Sequence, residues 1–401
     1  MTDTALRPVP PASRSAIRVS AGAVVTTIAC VLPVFLVGGL AVQMADDLRF
    51  SPAGLGLAVS VYFGISALAS VPSGVLVERY GPAVVARAGI LLSAGSLLAV
   101  AGLARSYPVL VVLLGLSAAA NALGQLASNA VLARHVPAHR QGLSFGVKQA
   151  AIPVSTLLAG AAVPAIALTA GWRWAFVAAA GAALAALPAV PRAEGAPGRR
   201  SAAGRAGGAS LALVVVGLAA TLAAAAANAL GTFVVDSSAG RGLSPALAGL
   251  TLTLGSAVCV VARVGAGWLA DRRETGHVAL IAGMLVVGAV GLALLALAGT
   301  GPLVAGVVLG FGLGWAWPGL VNFAVVKLHP QAPAAATSIT QTGVYAGGCL
   351  GPLGLGAVAG QLGYPTMWGT AAAAMLLAAL LMLAASRLLP RPTAPLTAPT
   401  R

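Results

Sequence analysis

Of 401 residues, 59% are apolar, only 8% are charged, and glycine occurs 51 times. A soluble globular chain carries about 25% charged residues, so water-soluble multidomain enzymes, disordered proteins and fibrous repeats are excluded. The chain reads as a membrane protein. Its formal charge of +15 comes from 23 Lys and Arg against 8 Asp and Glu. These cations lie in patches between long apolar runs without interleaved aromatics, a pattern of positive cytoplasmic loops rather than of a nucleic-acid surface. Cys30, Cys259 and Cys349 all sit inside apolar runs, which argues against a disulfide framework or a thiolate metal site.

A helix needs about 20 apolar residues to cross a bilayer. In chain order the candidate spans are 20–43, 53–77, 83–104, 108–133, 143–169, 172–190, 210–235, 246–270, 278–299, 302–326, 336–361 and 364–386. Barrel strands would alternate polar and apolar residues over about 10 positions, and these runs do not. The polar, basic residues 1–19 precede an apolar run too long for a signal-peptide core, so the first span is expected to be retained. With both termini cytoplasmic, the outer loops hold only Arg49, Arg105, Arg173 and Arg241, and the other loop and tail cations lie inside. That imbalance sets the expected orientation in the cell membrane. Arg87, Lys148 and Arg263 remain within spans.

Residues 191–209, rich in Gly, Ala and Arg, read as a flexible cytoplasmic linker. They separate two six-helix bundles, 20–190 and 210–386, and residues 387–401 form a second cytoplasmic tail. The bundles repeat each other. A shift of 193 residues brings Ser51-Pro52-Ala53 onto Ser244-Pro245-Ala246, and Gly74, Leu76, Glu78 and Arg79 onto Gly267, Leu269, Asp271 and Arg272. The same shift brings Asn129, Arg134 and Pro137 onto Asn322, Lys327 and Pro330. The expected fold is an all-α membrane protein with twelve transmembrane helices in two pseudo-symmetric six-helix bundles. Parallel repeats of this kind place a substrate site at their interface near the midplane.

GVLVERYG (Gly74–Gly81) and GWLADRRE (Gly267–Glu274) resemble the signature loop of the major facilitator superfamily, Gly-x-Leu-Ala-Asp-Arg-x-Gly-Arg-Lys, at both of its places, after spans 2 and 8. With twelve spans and a central linker, the resemblance covers essentially the whole chain. Departures are Glu78 for Asp, Pro82-Ala83 for the basic pair, and Glu274 where Gly is usual. The resemblance implies secondary transport by alternating access, with this loop gating the cytoplasmic side. The residues fit that role. Gly74 and Gly267 permit close helix approach, Glu78 or Asp271 suits the N-terminus of a neighbouring helix, and Arg79 or Arg272 is expected to form a pair that breaks when the halves rock. Gly81 closes the first copy.

Ionised groups inside a membrane are costly and mark functional sites. Arg263 lies in span 8, four residues before Gly267. Its position resembles that of the Arg by which monocarboxylate transporters and the oxalate/formate exchanger hold a carboxylate. Snorkelling to the surface or pairing with Asp271 is the competing reading. Lys148, beside Gln149 in span 5, is a second candidate anion contact, whereas Arg87 lies close to the first signature loop and reads as structural. Asn121, Gln125 and Asn129 form an i, i+4, i+8 amide stripe on span 4. Asn322 repeats Asn129, and Gln341, in the polar run with Tyr345, repeats Lys148. Asn228 adds an amide to span 7. The glycines and Pro318 of GFGLGWAWPGL (Gly310–Leu320) invite a kink or unwinding, and Trp315 and Trp317 there either stack on substrate or pack.

No catalytic constellation, cofactor motif or metal site is expected. His135 and His139 straddle Pro137, which argues against a helical metal pair, and there is no phosphate-binding Gly-x-x-x-x-Gly-Lys-Ser/Thr. The expected partners are a small-molecule substrate, a coupled proton or counter-anion and the lipid bilayer, with no nucleic acid, and the expected state is a monomer. All in-span charges are cations, which favours an organic anion as cargo. The alternative is proton-coupled drug efflux, whose span-5 Gly-Pro pattern is thin here (Pro153, Gly160, Pro164), although a similar string, Gly343–Gly356, occurs in span 11. No Asp, Glu or His lies near a midplane, and Asp46, Asp47 and Asp236 cluster at the outer ends of spans 1 and 7.

Overall fold

Lipid offers no hydrogen bonds to the backbone, so uncharged apolar runs satisfy their own N–H and C=O groups as helices. The computed structural model describes residues 12–50, 52–190, 211–243 and 245–388. The expected linker 191–209, residues 1–11 and 389–401 of the tails, and the side chains of Asp46, Asp236 and Pro164 lie outside what is described. The first half comprises α1 (Ala12–Gly39), α2 (Pro52–Tyr80), α3 (Pro82–Leu103), α4 (Tyr107–His135), α5 (Ala138–Ala162) and α6 (Trp172–Ala185). A short helix, Ala41–Leu48, follows α1, and a π-helical turn, Val163–Ala167, extends α5. The second half comprises α7 (Leu211–Ala239), α8 (Pro245–Asp271), α9 (His277–Leu295) and α10, which is built from Thr300–Leu309 and Pro318–Leu328. The run Pro333–Leu388 is broken at Gly363 (φ 81°) into α11 and α12. Eleven described helical runs, one of them this bent pair, are long and apolar enough to cross a membrane.

Helix ends follow the sequence closely. Pro82 starts α3, where its missing N–H is one of the donors a helix leaves free, directly after Gly81 at φ 86°. In the second signature loop Glu274 occupies the position of Gly81, and Gly276 (φ 78°) makes the left-handed turn two residues later. Both halves also turn left-handed before their second helix. Gly242 (φ 88°) serves in one, and Arg49 (φ 54°), 193 residues earlier, in the other.

Asn129 and Asn322 are both buried (0% and 3% exposed), as the 193-residue register requires. Leu91 and Leu98 on α3 and Leu376 and Leu380 on α12 are exposed and form part of the apolar belt a bilayer would cover. Among the described residues two main seams join the halves, α2 against α11 and α5 against α8, with smaller contacts of α10 on α5 and of α11 on α4. Glycine makes the second seam tight, because a Cβ on Gly142 would lie 2.6 Å from the Gly267 carbonyl oxygen.

Candidate functional site

Each signature loop reaches across to the other half. Asp271, last residue of α8, accepts hydrogen bonds from the Gly142 N–H (2.6 Å) and the Leu143 N–H (2.9 Å) in the first turns of α5. Glu78, near the end of α2, accepts from the Ala334 N–H (3.0 Å) at the start of α11. Both carboxylates thus sit at helix N-termini, where exposed amides and the helix dipole favour negative charge. The arginines do not form the pair expected of them. Arg79 lies over the Tyr80 ring and Arg272 over the Trp268 ring, at 5.2 and 3.6 Å from the ring centroids. Glu78 is instead bridged by Arg134 Nη2 at 2.6 Å. Signature-loop arginines face outward here, and the helix-4 cation, one turn beyond the amide stripe, is the one aimed at the carboxylate.

Gly74 and Gly267 line these seams. A Cβ on Gly74 would lie 3.0 Å from Ser338 Cβ, and Gly267 lies against Gly142. Deeper along α5 and α8, Gly146 packs on the Arg263 carbonyl. This end is therefore closed, whereas α1 and α7 make no comparable seam among the described residues.

Between the halves lie two cations with almost no exposure, Lys148 (0%) and Arg263 (1%). Lys148 Nζ donates to Gln125 Oε1 and, at 3.0 Å, to Asn129 Oδ1. The amide stripe of α4 thus turns inward and receives the ammonium. Arg263 neither snorkels nor reaches Asp271. Its Nε and Nη2 donate to the Trp315 carbonyl at 3.2 and 3.0 Å, and its Nη1 donates to the Gln149 carbonyl across the α5–α8 seam. The Trp315 carbonyl is available for a local reason. The Gly310–Gly314 π turn and the non-helical Trp315 interrupt α10, and Pro318 has no N–H and a ring that clashes with a helical carbonyl four residues back. The unwinding expected from the glycines and Pro318 therefore creates the acceptor that anchors Arg263.

The other candidates lie on α4, α7, α10 and α11. Asn121, one turn before Gln125 on α4, and Tyr345 on α11 are buried next to each other. Gln341, one turn before Tyr345, is buried with them. Asn322 is buried on α10 with an unpaired Nδ2. Asn228 is half-buried and donates to the Ala224 carbonyl of its own helix at 2.8 Å. Trp315, partly buried, has its ring centroid 5.8 Å from the Arg263 guanidinium carbon. Trp317 packs. It is 0% exposed within a largely second-half apolar core, with its indole N–H unpaired. Sequence reading missed Arg134 as the ion-pair partner of Glu78 and Gly142 and Gly146 as seam residues. A glycine pair four apart beside Lys148 was the available signal.

Among the described residues no group of three metal-ligating side chains converges, and all four carboxylates with described side chains lie near helix ends rather than beside the cations. The Major Facilitator Superfamily model matches residues 23–352 and again 216–401. Similar solved structures include the E. coli fucose:proton symporter FucP (15% identity, TM-score 0.72, covering 93% of this chain and 99% of that one). The human organic anion transporter MFSD10 shares 18% identity at TM-score 0.70 (93% and 100% covered), and the proton:xylose symporter XylE 16% at 0.77 (93% and 96%). At these identities the likeness establishes the fold. No curated protein sequence matches. Twelve helices in two halves, paired signature loops that cap the opposite half, and a family match across most of the length identify the chain as a multi-pass membrane transporter of the major facilitator superfamily.

Proposed function

We propose that this protein is a secondary active transporter of a small organic anion that works by alternating access, with Arg263 and Lys148 as its anion-binding pair. It resides in the cell membrane with both termini cytoplasmic. One observation carries the reading: among the described residues, two fully buried cations between the halves have neutral hydrogen-bond acceptors, from Gln125, Asn129, Gln149 and Trp315, and no carboxylate pairs with either. Buried charge without a counter-charge is costly, and a carboxylate arriving between the two would offset that cost. Arg263 presents a planar fork suited to a bidentate carboxylate. Its five N–H groups make three bonds here, which leaves two for a ligand. The related structures comprise one organic anion transporter and two proton-coupled sugar symporters, so they leave the substrate class to be argued from these side chains.

The Glu78 and Asp271 contacts are the latch of the cytoplasmic gate, and the conformation is the one closed on that side. Arg263 also bridges the α5–α8 seam, so a carboxylate that displaces the Gln149 carbonyl loosens the seam while it binds. The test is uptake into proteoliposomes together with ligand-induced thermal shifts. Carboxylates should raise the melting temperature of the wild type, Arg263→Ala should abolish the shift, and Arg263→Lys should lose most of it despite keeping the charge. Stabilisation only by cationic or neutral compounds would overturn the anion reading and favour proton-coupled efflux.

A further inference from the structure

Of the two buried cations, one can give up its proton. A guanidinium stays charged throughout the range in which proteins function, whereas an ammonium becomes a neutral amine with a lone pair. Lys148 is fully buried on α5 (0% exposed), and the groups that hold it suit either form. Its Nζ donates to Gln125 Oε1 and, at 3.0 Å, to Asn129 Oδ1. A neutral amine keeps two N–H groups, enough for both bonds. Turning the Asn129 amide instead presents its Nδ2, which is buried without a partner, to the lone pair. A carboxylate in place of these amides would fix the charge on the lysine, and among the described residues no carboxylate pairs with it.

The second cation makes the charge on Lys148 conditional. Arg263 Nη1 donates to the carbonyl of Gln149, the residue after Lys148, and Arg263 lies within electrostatic reach of Lys148 itself. Two like charges repel strongly in a buried site without a counter-charge. An anion between them offsets that repulsion, and so does loss of the lysine proton. Anion binding and protonation of Lys148 therefore favour each other, and by linkage the effect is reciprocal. Among the described residues the other elements packed on this stretch bring no opposing charge. α1 contributes Cys30, whose thiol is neutral while it holds its proton. α4 contributes the two amides, and α10 packs through Gly319 and Phe323.

Resting on the anion reading above, we infer that Lys148 is the proton carrier of this transporter, protonated while the anion is bound and neutral while the site is empty. The proton joins the Nζ lone pair from the water on the side where the site is open and crosses with the anion. It leaves to the water on the other side once the anion has gone. No bond to the substrate forms. Loaded with a monocarboxylate, the site holds both cations and one negative charge; empty, it holds the Arg263 charge alone. Both states cross with the same net charge, so one proton accompanies each anion and the cycle is electroneutral.

Lysine occurs only at positions 148 and 327, which makes the carrier directly observable. In the purified full chain with Lys327→Arg and lysine labelled with 13C at Cε, a single resonance reports the charge on Lys148. It should move between its amine and ammonium positions over about pH 6–9, where a proton carrier has to titrate. Pyruvate added at fixed pH should drive it toward the ammonium position, and Arg263→Ala should abolish that response. In proteoliposomes, Lys148→Arg keeps the charge but cannot release the proton. Accumulation of labelled pyruvate driven by a pH gradient should then be lost, while part of pyruvate–pyruvate exchange survives. A resonance fixed at the ammonium position at every pH would overturn the proton assignment, whichever anion is carried. Gradient-driven accumulation by Lys148→Arg at the wild-type level would overturn it too, and either result leaves the anion reading standing. Pyruvate exchange that Arg263→Ala leaves intact would remove the anion reading and this inference with it.

Discussion

Asp271→Asn isolates the proposed gate from the proposed site. The carboxylate accepts two backbone hydrogen bonds, at 2.6 and 2.9 Å, from the first turns of α5 in the other half. A hydrogen bond to a charged group contributes about 1.5–3 kcal/mol, and an asparagine keeps one acceptor oxygen but neither the charge nor the second bond. Asp271 is only half-buried, so the net loss to the closed state is put at about 2–3 kcal/mol. At 1.4 kcal/mol per tenfold, the open-to-closed ratio at this end should rise by about 30- to 150-fold. Ser338 reports that change directly, being 2% exposed and packed on Gly74 in the α2–α11 seam. Ser338→Cys, in a chain whose three native cysteines are replaced by alanine, should react slowly with an impermeant maleimide applied from the signature-loop face. It should react tens of times faster once Asp271→Asn is added, while the protein remains folded and inserted and flux falls. Unchanged labelling together with unchanged transport would refute the latch.

Three further outcomes follow from the same structure. Gly146→Val places branched carbons against the Arg263 carbonyl and should cut flux with little loss of insertion, and full activity in vesicles would contradict the tight α5–α8 seam. Arg49→Gly should raise the melting temperature, because a non-glycine left-handed residue (φ 54°) costs about 1 kcal/mol, whereas Gly242→Ala at the repeat position should lower it. At the other end, the Trp172 indole N–H (2.9 Å) and then Arg173 (2.8 Å) hold the Asp47 carboxyl below the usual carboxylate range. A depressed folded pKa stabilises above the unfolded value near 3.9 and is lost as pH falls through the folded one. Melting temperature should therefore drop between pH 5 and pH 3 by a small amount that Asp47→Asn removes, the side chain being exposed.

Much of the architecture was legible in the chain itself. Apolar runs of about 20 residues between charges have no structural option in lipid but the helix, so the twelve spans follow from length and composition, within about eight residues at their ends. α1 begins at Ala12 rather than 20, and α5 at Ala138 rather than 143. The 193-residue repeat survives in three dimensions because it records paired structural demands. The left-handed turns at Arg49 and Gly242 and the buried Asn129 and Asn322 fall in one register. The break in α10 was legible too, because glycine and proline act on the backbone locally, whatever surrounds them.

Partners were another matter, since hydrogen bonding depends on which helices meet. Sequence pointed to Glu78 and Asp271 as acids for helix N-termini, but only packing assigned those termini to the opposite half. Only packing also gave Glu78 to Arg134 and left Arg79 and Arg272 on neighbouring aromatic rings. Periodicity placed Lys148 and the amide stripe on their own helices; the fold alone joined them. Arg263 is the clearest case. Its rarity in a span marked it in the sequence, yet its ligands are the carbonyls of Gln149 and Trp315. Every residue has a carbonyl, so nothing in a residue's identity announces an acceptor. That availability arises where α10 unwinds and α5 crosses α8, and both the opening and the crossing exist only once the halves have packed.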